Sequence, residues 1–197
     1  MDELLNDLNL DLSDAVNVAP ALLGYKLSYL SPQGLTSGYI VETEAYNSED
    51  PASHGFRGLT NRNKSLFKNR GTVYVYFTYG LHFCLNLVTG NLGNGQAVLI
   101  RAIEPVDGID LMMRRRKLHT LKGLTNGPAK LTQALGINKQ IDGTNILNGK
   151  LKLEIGIKPK NILVAPRIGI SKAKDTPWRF YIEDNEFVSY PVLKKIL

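Results

Sequence analysis

Gly71-Thr-Val-Tyr-Val-Tyr-Phe-Thr-Tyr-Gly-Leu-His-Phe-Cys-Leu-Asn-Leu-Val88 reads as two β-strands joined by a tight turn. β-Branched and aromatic residues fill the stretch, and these side chains suit a pleated, half-buried surface. Alternation along a strand puts Val73, Val75 and Phe77 on one face and Tyr74 and Tyr76 on the other. Past the turn, Leu81, Phe83, Leu85 and Leu87 share a face, and His82, Cys84 and Asn86 share the opposite one. Pairing the two apolar faces builds one side of a core. The other side gathers Tyr74, Tyr76, His82 and Asn86, flat rings and hydrogen-bonding tips that suit a planar heterocycle. Tyr79 stands at the turn, away from the core, where a ring on a rigid projection has the shape of a wedge for a base step. The plainer alternative makes the tyrosines a second core face and Tyr79 an incidental surface ring.

Outward from this hairpin, strands dominate. Tyr25–Leu30, a Ser31-Pro32-Gln33-Gly34 turn and Ser37–Tyr46 precede it, and Ala97–Ile103 follows. Leu151–Ile157, Asn161–Ala165 and Trp178–Ile182 return to strand patterns. A helix is expected from a Ser13 or Asp14 cap to Gly24, another over Ile109–Leu118, and a third opened by Asn126-Gly127-Pro128 and closed at Gly136. Residues 47–71, rich in Asn, Gly and Ser, read as a long functional loop. Strands with inserted helices and no regular βαβ alternation point to a single α+β domain. The expected form is a curved antiparallel sheet with a protruding hairpin and surrounding helices. Residues 1–15 read as an acidic lead-in and 16–197 as the domain.

Composition narrows the function. The chain has 197 residues, enough for one well-buried core. No apolar run reaches the roughly 20 residues that span a bilayer, so no membrane association is expected. One cysteine, Cys84, and three scattered histidines offer no disulfide framework and no metal site. The acidic start, Met1-Asp2-Glu3, is unlike an export signal, and the expected location is cytoplasmic. Charge is unevenly placed. The first 20 residues hold five acids and no base, leaving all 24 Lys and Arg against 13 acids in the remainder. Such a balance fits a polyanionic partner.

Ile40-Val-Glu-Thr-Glu-Ala-Tyr46 aligns Glu42, Glu44 and Tyr46 on one strand face. Two buried carboxylates at this spacing would repel, so one should be exposed or paired with a base. A buried Glu beside an Arg stays ionised and can activate water. Cleavage of an N-glycosidic bond needs little more, because a carboxylate beneath the sugar orients water and offsets oxocarbenium charge. The alternative is a solvated strand face.

Taken together, Val41-Glu-Thr-Glu-Ala-Tyr46, Ser53-His54, Gly71–Tyr76 with Tyr79-Gly80, Asn86, Ile100-Arg-Ala-Ile-Glu-Pro105 and Asn126-Gly-Pro-Ala-Lys-Leu131 resemble the alkyladenine (3-methyladenine) DNA glycosylase family. The set occurs in the family's order over roughly residues 16–183. This resemblance implies a one-domain fold without a helix-hairpin-helix, and a purine DNA glycosylase that flips a damaged nucleotide from duplex DNA. It further implies hydrolysis with no cofactor, no metal and no lyase step, by a monomeric bacterial-type enzyme associated with the nucleoid through DNA. By the same resemblance, Glu44 is the general base, Arg101 positions the water, and the Ile168 carbonyl completes the water site. Tyr46, His54 and Tyr76 wall the base pocket, Asn86 floors it against normal guanine, and Tyr79 intercalates.

Lys130 is expected at a helix N-terminus suited to phosphate, with Arg62 and Lys64 as further backbone contacts. Of Arg114-Arg-Arg-Lys117, which point in different directions on a helix, at most one or two are expected near phosphate and the rest solvated. Cys84 is expected to be packed and inert. Two other functions compete. A lesion- or single-strand-binding module would use the aromatic face without chemistry, but it needs neither Glu44 nor Arg101. A free-nucleoside hydrolase leaves Tyr79 and the positive charge unexplained.

Overall fold

A computed structural model describes residues 8, 10–78, 80 and 82–190. Among them run strands β1 (Lys26–Ser31), β2 (Gly34–Tyr46), β3 (Val73–Thr78), β4 (His82–Thr89), β5 (Gln96–Pro105), β6 (Leu151–Glu154), β7 (Ile162–Ala165) and β8 (Arg179–Ile182). Helices α1 (Ala15–Ala21), α2 (Ile109–Arg116) and α3 (Pro128–Leu135) accompany them. The strands form one curled antiparallel sheet in the order β3-β4-β5-β2-β1-β6, with β8 and then β7 branching from β2. This is the α+β architecture expected from the sequence.

β2 is the axis of the molecule. One edge pairs β5 from Gly38 to Tyr46, while the other pairs β1 over Gly34–Tyr39 and then β8 over Glu42–Glu44. Its two edges are therefore satisfied by three strands. β5 is buried along most of its length, with helices on one side and the candidate site on the other. The main core joins Leu22, Leu27, Ile40, Val75, Leu85, Val98, Ile103, Leu131 and Leu135.

The hairpin register follows the alternation. Val73 faces Leu87, Val75 faces Leu85 and Phe77 faces Phe83, while Tyr74 opposes Asn86 and Tyr76 opposes Cys84. His82 departs from expectation: it pairs with Thr78 at the open end, is exposed, and does not join the tyrosines. Tyr79 lies outside the described residues.

Local capping explains the helices. The Asp14 carboxylate accepts from the Val16 and Asn17 amides at 2.9 and 3.0 Å, which satisfies the free donors opening α1. At α3 the expected Asn126 cap gives way to Gly127. The Asn126 backbone is held in a bridge to Ala102, its side chain accepts from Lys130, and the chain turns at Gly127 with φ 155°. Leu10 and Leu12, ahead of the boundary drawn at residue 15, lie within the core.

The arginine run is a second departure. Arg115 donates to the Ala134 carbonyl, at the end of α3, at 3.0 Å and to Ser31 Oγ at 2.6 Å. Arg116 donates to the Leu124 and Gly123 carbonyls at 3.2 and 3.3 Å. Both staple α2 to neighbouring loops instead of standing free in solvent, because orphan carbonyls at a helix end and in a loop attract guanidinium donors.

Candidate active site

The site forms where β2, β3, β4 and β5 meet the 47–63 loop and the segment after β7. Its carboxylates come from β2, and both Glu42 and Glu44 are wholly buried. The expectation that one would be exposed or paired is met by pairing, through a distortion in the sheet. Between β2 and β5 the register shifts twice, so Ile40 pairs Ile103, Glu42 pairs Ala102 and Thr43 pairs Ile100. Val41 and Arg101 are the extra residues, one on each strand. Bulges of this kind re-aim a side chain.

Arg101 thereby meets both carboxylates. Its Nε donates to Glu42 Oε1 at 3.1 Å and its Nη1 lies 3.2 Å from Glu44 Oε1. Burial pulls the guanidinium down, but the charges of Glu44 and Glu42 outweigh it and raise its pKa above the ordinary value. Arg179 adds a second cation, with Nη1 3.0 Å from Glu42 Oε1. The two acids are compensated by two guanidiniums.

Glu44 has further partners. The Ile168 backbone N–H donates to Oε1 at 2.7 Å, and the Tyr46 hydroxyl donates to Oε2 at 2.8 Å. A carboxylate offers about four lone-pair sites, two on each oxygen. Among the described residues Oε1 accepts from Ile168 and is ion-paired with Arg101, and Oε2 accepts from Tyr46.

Tyr46 is also a wall of the adjoining cavity, about 110 Å³, shared with His54, Tyr74, Tyr76, Asn86 and Ile170. His54 Nδ1 is 3.0 Å from the Tyr74 hydroxyl, and the His54 and Tyr76 rings meet edge-on with centroids 4.5 Å apart. Asn86 Nδ2 donates to the Tyr74 carbonyl at 3.1 Å, which fixes the amide across the hairpin. Burial raises the phenols of Tyr46, Tyr74 and Tyr76 above the ordinary range, so the walls stay neutral hydroxyls. Burial, then the Arg62 charge, lowers the His54 imidazole. Cys84 is buried behind Tyr76 and its thiol is raised by that burial, away from the reactive thiolate.

The loop that carries His54 is held by polar side chains. Asn63 Nδ2 donates to the His54 and Gly58 carbonyls at 2.8 and 3.0 Å. Gly55 is required next to His54, since a Cβ there would lie 2.0 Å from the Gly95 carbonyl oxygen.

The fold thus brings together Glu44, Arg101, Ile168, Tyr46, His54, Tyr76 and Asn86. Of the proposed backbone contacts, Arg62 stands beside His54 and Tyr74 on a neighbouring cavity, while Lys64 and Lys130 line neither cavity. Lys130 Nζ bonds Asn126 Oδ1 at 2.9 Å on α3, Arg62 Nη2 bonds the Phe77 carbonyl at 2.9 Å, and Lys64 is exposed on a 3₁₀ turn. A wider groove of about 750 Å³, lined by Lys26, Lys150 and Lys152, lies at the far sheet edge on β1 and β6.

Several site residues escape a reading of the sequence. Arg167 is buried, ion-paired with Asp50 through both terminal nitrogens, and lies 4.6 Å from the Tyr46 ring centroid and 5.2 Å from that of Trp178. Its Nη1 also donates to the Ala45 carbonyl at 2.9 Å. It braces Tyr46 and fixes the peptide that turns Ile168 toward Glu44. The one available signal was a charged residue between an apolar strand and Ile168. Ile170 lines the cavity as well, and so does Tyr74, which strand alternation had already put on the aromatic face.

Comparison with known proteins puts the chain among the DNA glycosylases. The chain belongs to the methylpurine-DNA glycosylase family, whose sequence profile matches residues 10–186. A relative from Methanoculleus marisnigri is 47% identical over 181 residues, covering 89% of this chain and 94% of its own. One from Francisella tularensis subsp. tularensis is 47% identical over 179 residues, covering 88% and 93%. One from Nitrosospira multiformis is 44% identical over 179 residues, covering 91% of each. All three carry the name "Putative 3-methyladenine DNA glycosylase". Among the described residues no helix is long and apolar enough to cross a membrane.

Proposed function

We propose that the protein excises alkylated and deaminated purines from double-stranded DNA by direct hydrolysis of the N-glycosidic bond. The substrates are 3-methyladenine and 7-methylguanine, with hypoxanthine and ethenoadenine as neutral counterparts. One observation carries the reading: Glu44 is buried, ion-paired with Arg101, and bonded through Oε2 to the hydroxyl of Tyr46, a wall of the aromatic cavity.

In this mechanism Oε2 takes the proton of a water aimed at C1′ of a flipped nucleotide. Before that transfer the carboxylate offsets the positive charge that grows on the sugar as the C1′–N bond breaks, and a purine made cationic by alkylation leaves as a neutral base. Arg101 ion-pairs the carboxylate and orients the water, with the Ile168 backbone at its side. Tyr46, Tyr76 and His54 take the base between their rings. Electron-rich neutral phenols favour a purine made cationic by ring alkylation, and Asn86 crowds the exocyclic amine of normal guanine. Among the described residues the cavity lining contains no lysine, in keeping with hydrolysis by water instead of a Schiff base. Tyr79 fills the gap in the stack, and Arg62, Lys64 and Lys130 meet backbone phosphates.

The test is release of 3-methyladenine from methylated duplex DNA. Glu44→Gln keeps the size of the side chain but loses its charge and one acceptor oxygen and cannot act as the base, so it should abolish release and retain lesion binding. Full activity in Glu44→Gln would overturn the assignment. A non-catalytic binding module predicts no release by the unaltered protein.

A further inference from the structure

Residues 185–190 fold back onto the strand that carries Glu42 and Glu44, and 187–190 lie beyond the 10–186 segment matched by the family profile. Asn185 Nδ2 donates to Glu104 Oε2 at 2.7 Å, and its Oδ1 accepts from the Phe187 amide at 2.9 Å. Val188 is buried with Val41, Ala102, Ala165 and Tyr181 in a small apolar cluster beneath the double bulge. The Tyr190 carbonyl accepts from Arg179 Nη1 at 2.9 Å. Between these anchors, Ser189 meets Glu42 twice. Its backbone N–H donates to Oε2 at 2.7 Å and its hydroxyl to Oε1 at 2.9 Å.

Glu42 has no place in the hydrolysis itself, yet it is buried among charges: Arg101 from β5, Arg179 from β8 and Glu44 from its own strand. Its connection to the chemistry is Arg101. The guanidinium is a planar fork with fixed directions. Glu42 holds its Nε at 3.1 Å, and Ser189 Oγ accepts from its Nη2 at 3.4 Å. With those two nitrogens held, the plane is set, and Nη1 has one direction left, toward Glu44.

We propose that Ser189 is a positioning residue for base excision: it clasps Glu42 and one end of the Arg101 guanidinium, so that the other end is presented to Glu44. The proposal rests on the reading of Glu44 as the general base.

The experiment uses the full-length protein, a methylated duplex, and two separate measurements: the single-turnover rate of 3-methyladenine release and the equilibrium affinity for lesion duplex. Ser189→Ala removes the hydroxyl and keeps the N–H. Ser189→Pro removes both donors. Ser189→Thr restores both. The expected release rates are about tenfold lower for Ala and about 100-fold lower for Pro, the range that misplacing a catalytic group costs. Affinity should stay within about twofold, since nothing in the cavity wall changes, and Ser189→Thr should excise within about twofold of the unaltered protein. Wild-type rates in folded Ser189→Ala overturn the proposal. So does a loss of rate and affinity in parallel with the folded fraction seen by circular dichroism, because that marks a merely structural part. Should Ser189→Pro not fold, Ser189→Ala against Ser189→Thr decides alone. Glu44→Gln separates the two readings: activity there removes the base assignment, whatever the Ser189 variants do.

Discussion

Arg101 reaches Glu44 only because it is the unpaired residue of a bulge in β5, with its Nη1 3.2 Å from Glu44 Oε1. A regular strand would pair Arg101 in register and send its neighbours to other faces. The bulge turns a structural strand into one that presents a charge to the adjacent carboxylates.

Arg101→Lys tests whether charge alone is enough. Lysine keeps the cation but is a compact point charge that cannot span Glu42, Ser189 and Glu44 with a planar fork. Release of 3-methyladenine should fall by about 100-fold while lesion affinity changes little. A rate near that of the unaltered protein would show that the fork geometry is dispensable.

Asp50 and Arg167 form a buried pair with side chains 1% and 0% exposed. Removing one member of such a pair leaves an uncompensated charge, at a cost of about 3–5 kcal/mol. Asp50→Ala should lower stability by that amount in urea denaturation and weaken lesion capture, since Arg167 braces the Tyr46 wall. A change under about 1 kcal/mol would mean that Arg167 finds water or another partner.

His54 gives a pH dependence. Burial first, and Arg62 second, lower its value from 6.5. As pH falls, the unfolded chain takes up the proton before the folded one, so stability rises with pH across that interval. The contribution is intact above 6.5 and is lost as pH falls through 6.5 toward the lower folded value. Urea denaturation at stepped pH should show this loss, and His54→Gln should remove that part of it. An identical pH dependence in both proteins would refute the assignment to His54.

The sequence made some of this visible and hid the rest for physical reasons. Hairpin register was legible because period-two alternation and a short turn leave one pairing that buries both apolar faces. The Asp14 cap was legible because its partners lie two and three residues on. The double bulge was not, since Ile100-Arg-Ala-Ile103 contains no Gly or Pro to mark it. Asp50 and Arg167 are 117 residues apart, and no local pattern relates them. Asn126 was read as a cap from its neighbours alone, and a long-range bridge to Ala102 changed its task. The family resemblance supplied Glu44, Arg101 and the cavity walls. It did not supply Ser189, Arg179 or Arg167, which act through other side chains.

The chain contains one tryptophan. That indole, Trp178, lies 5.2 Å from the Arg167 guanidinium, which in turn lies 4.6 Å from the Tyr46 ring. Its emission therefore arises from a single place, two contacts behind the wall a flipped purine would touch. A purine seated against Tyr46 should change that emission, which stopped-flow fluorescence on mixing with lesion duplex would read without any attached dye.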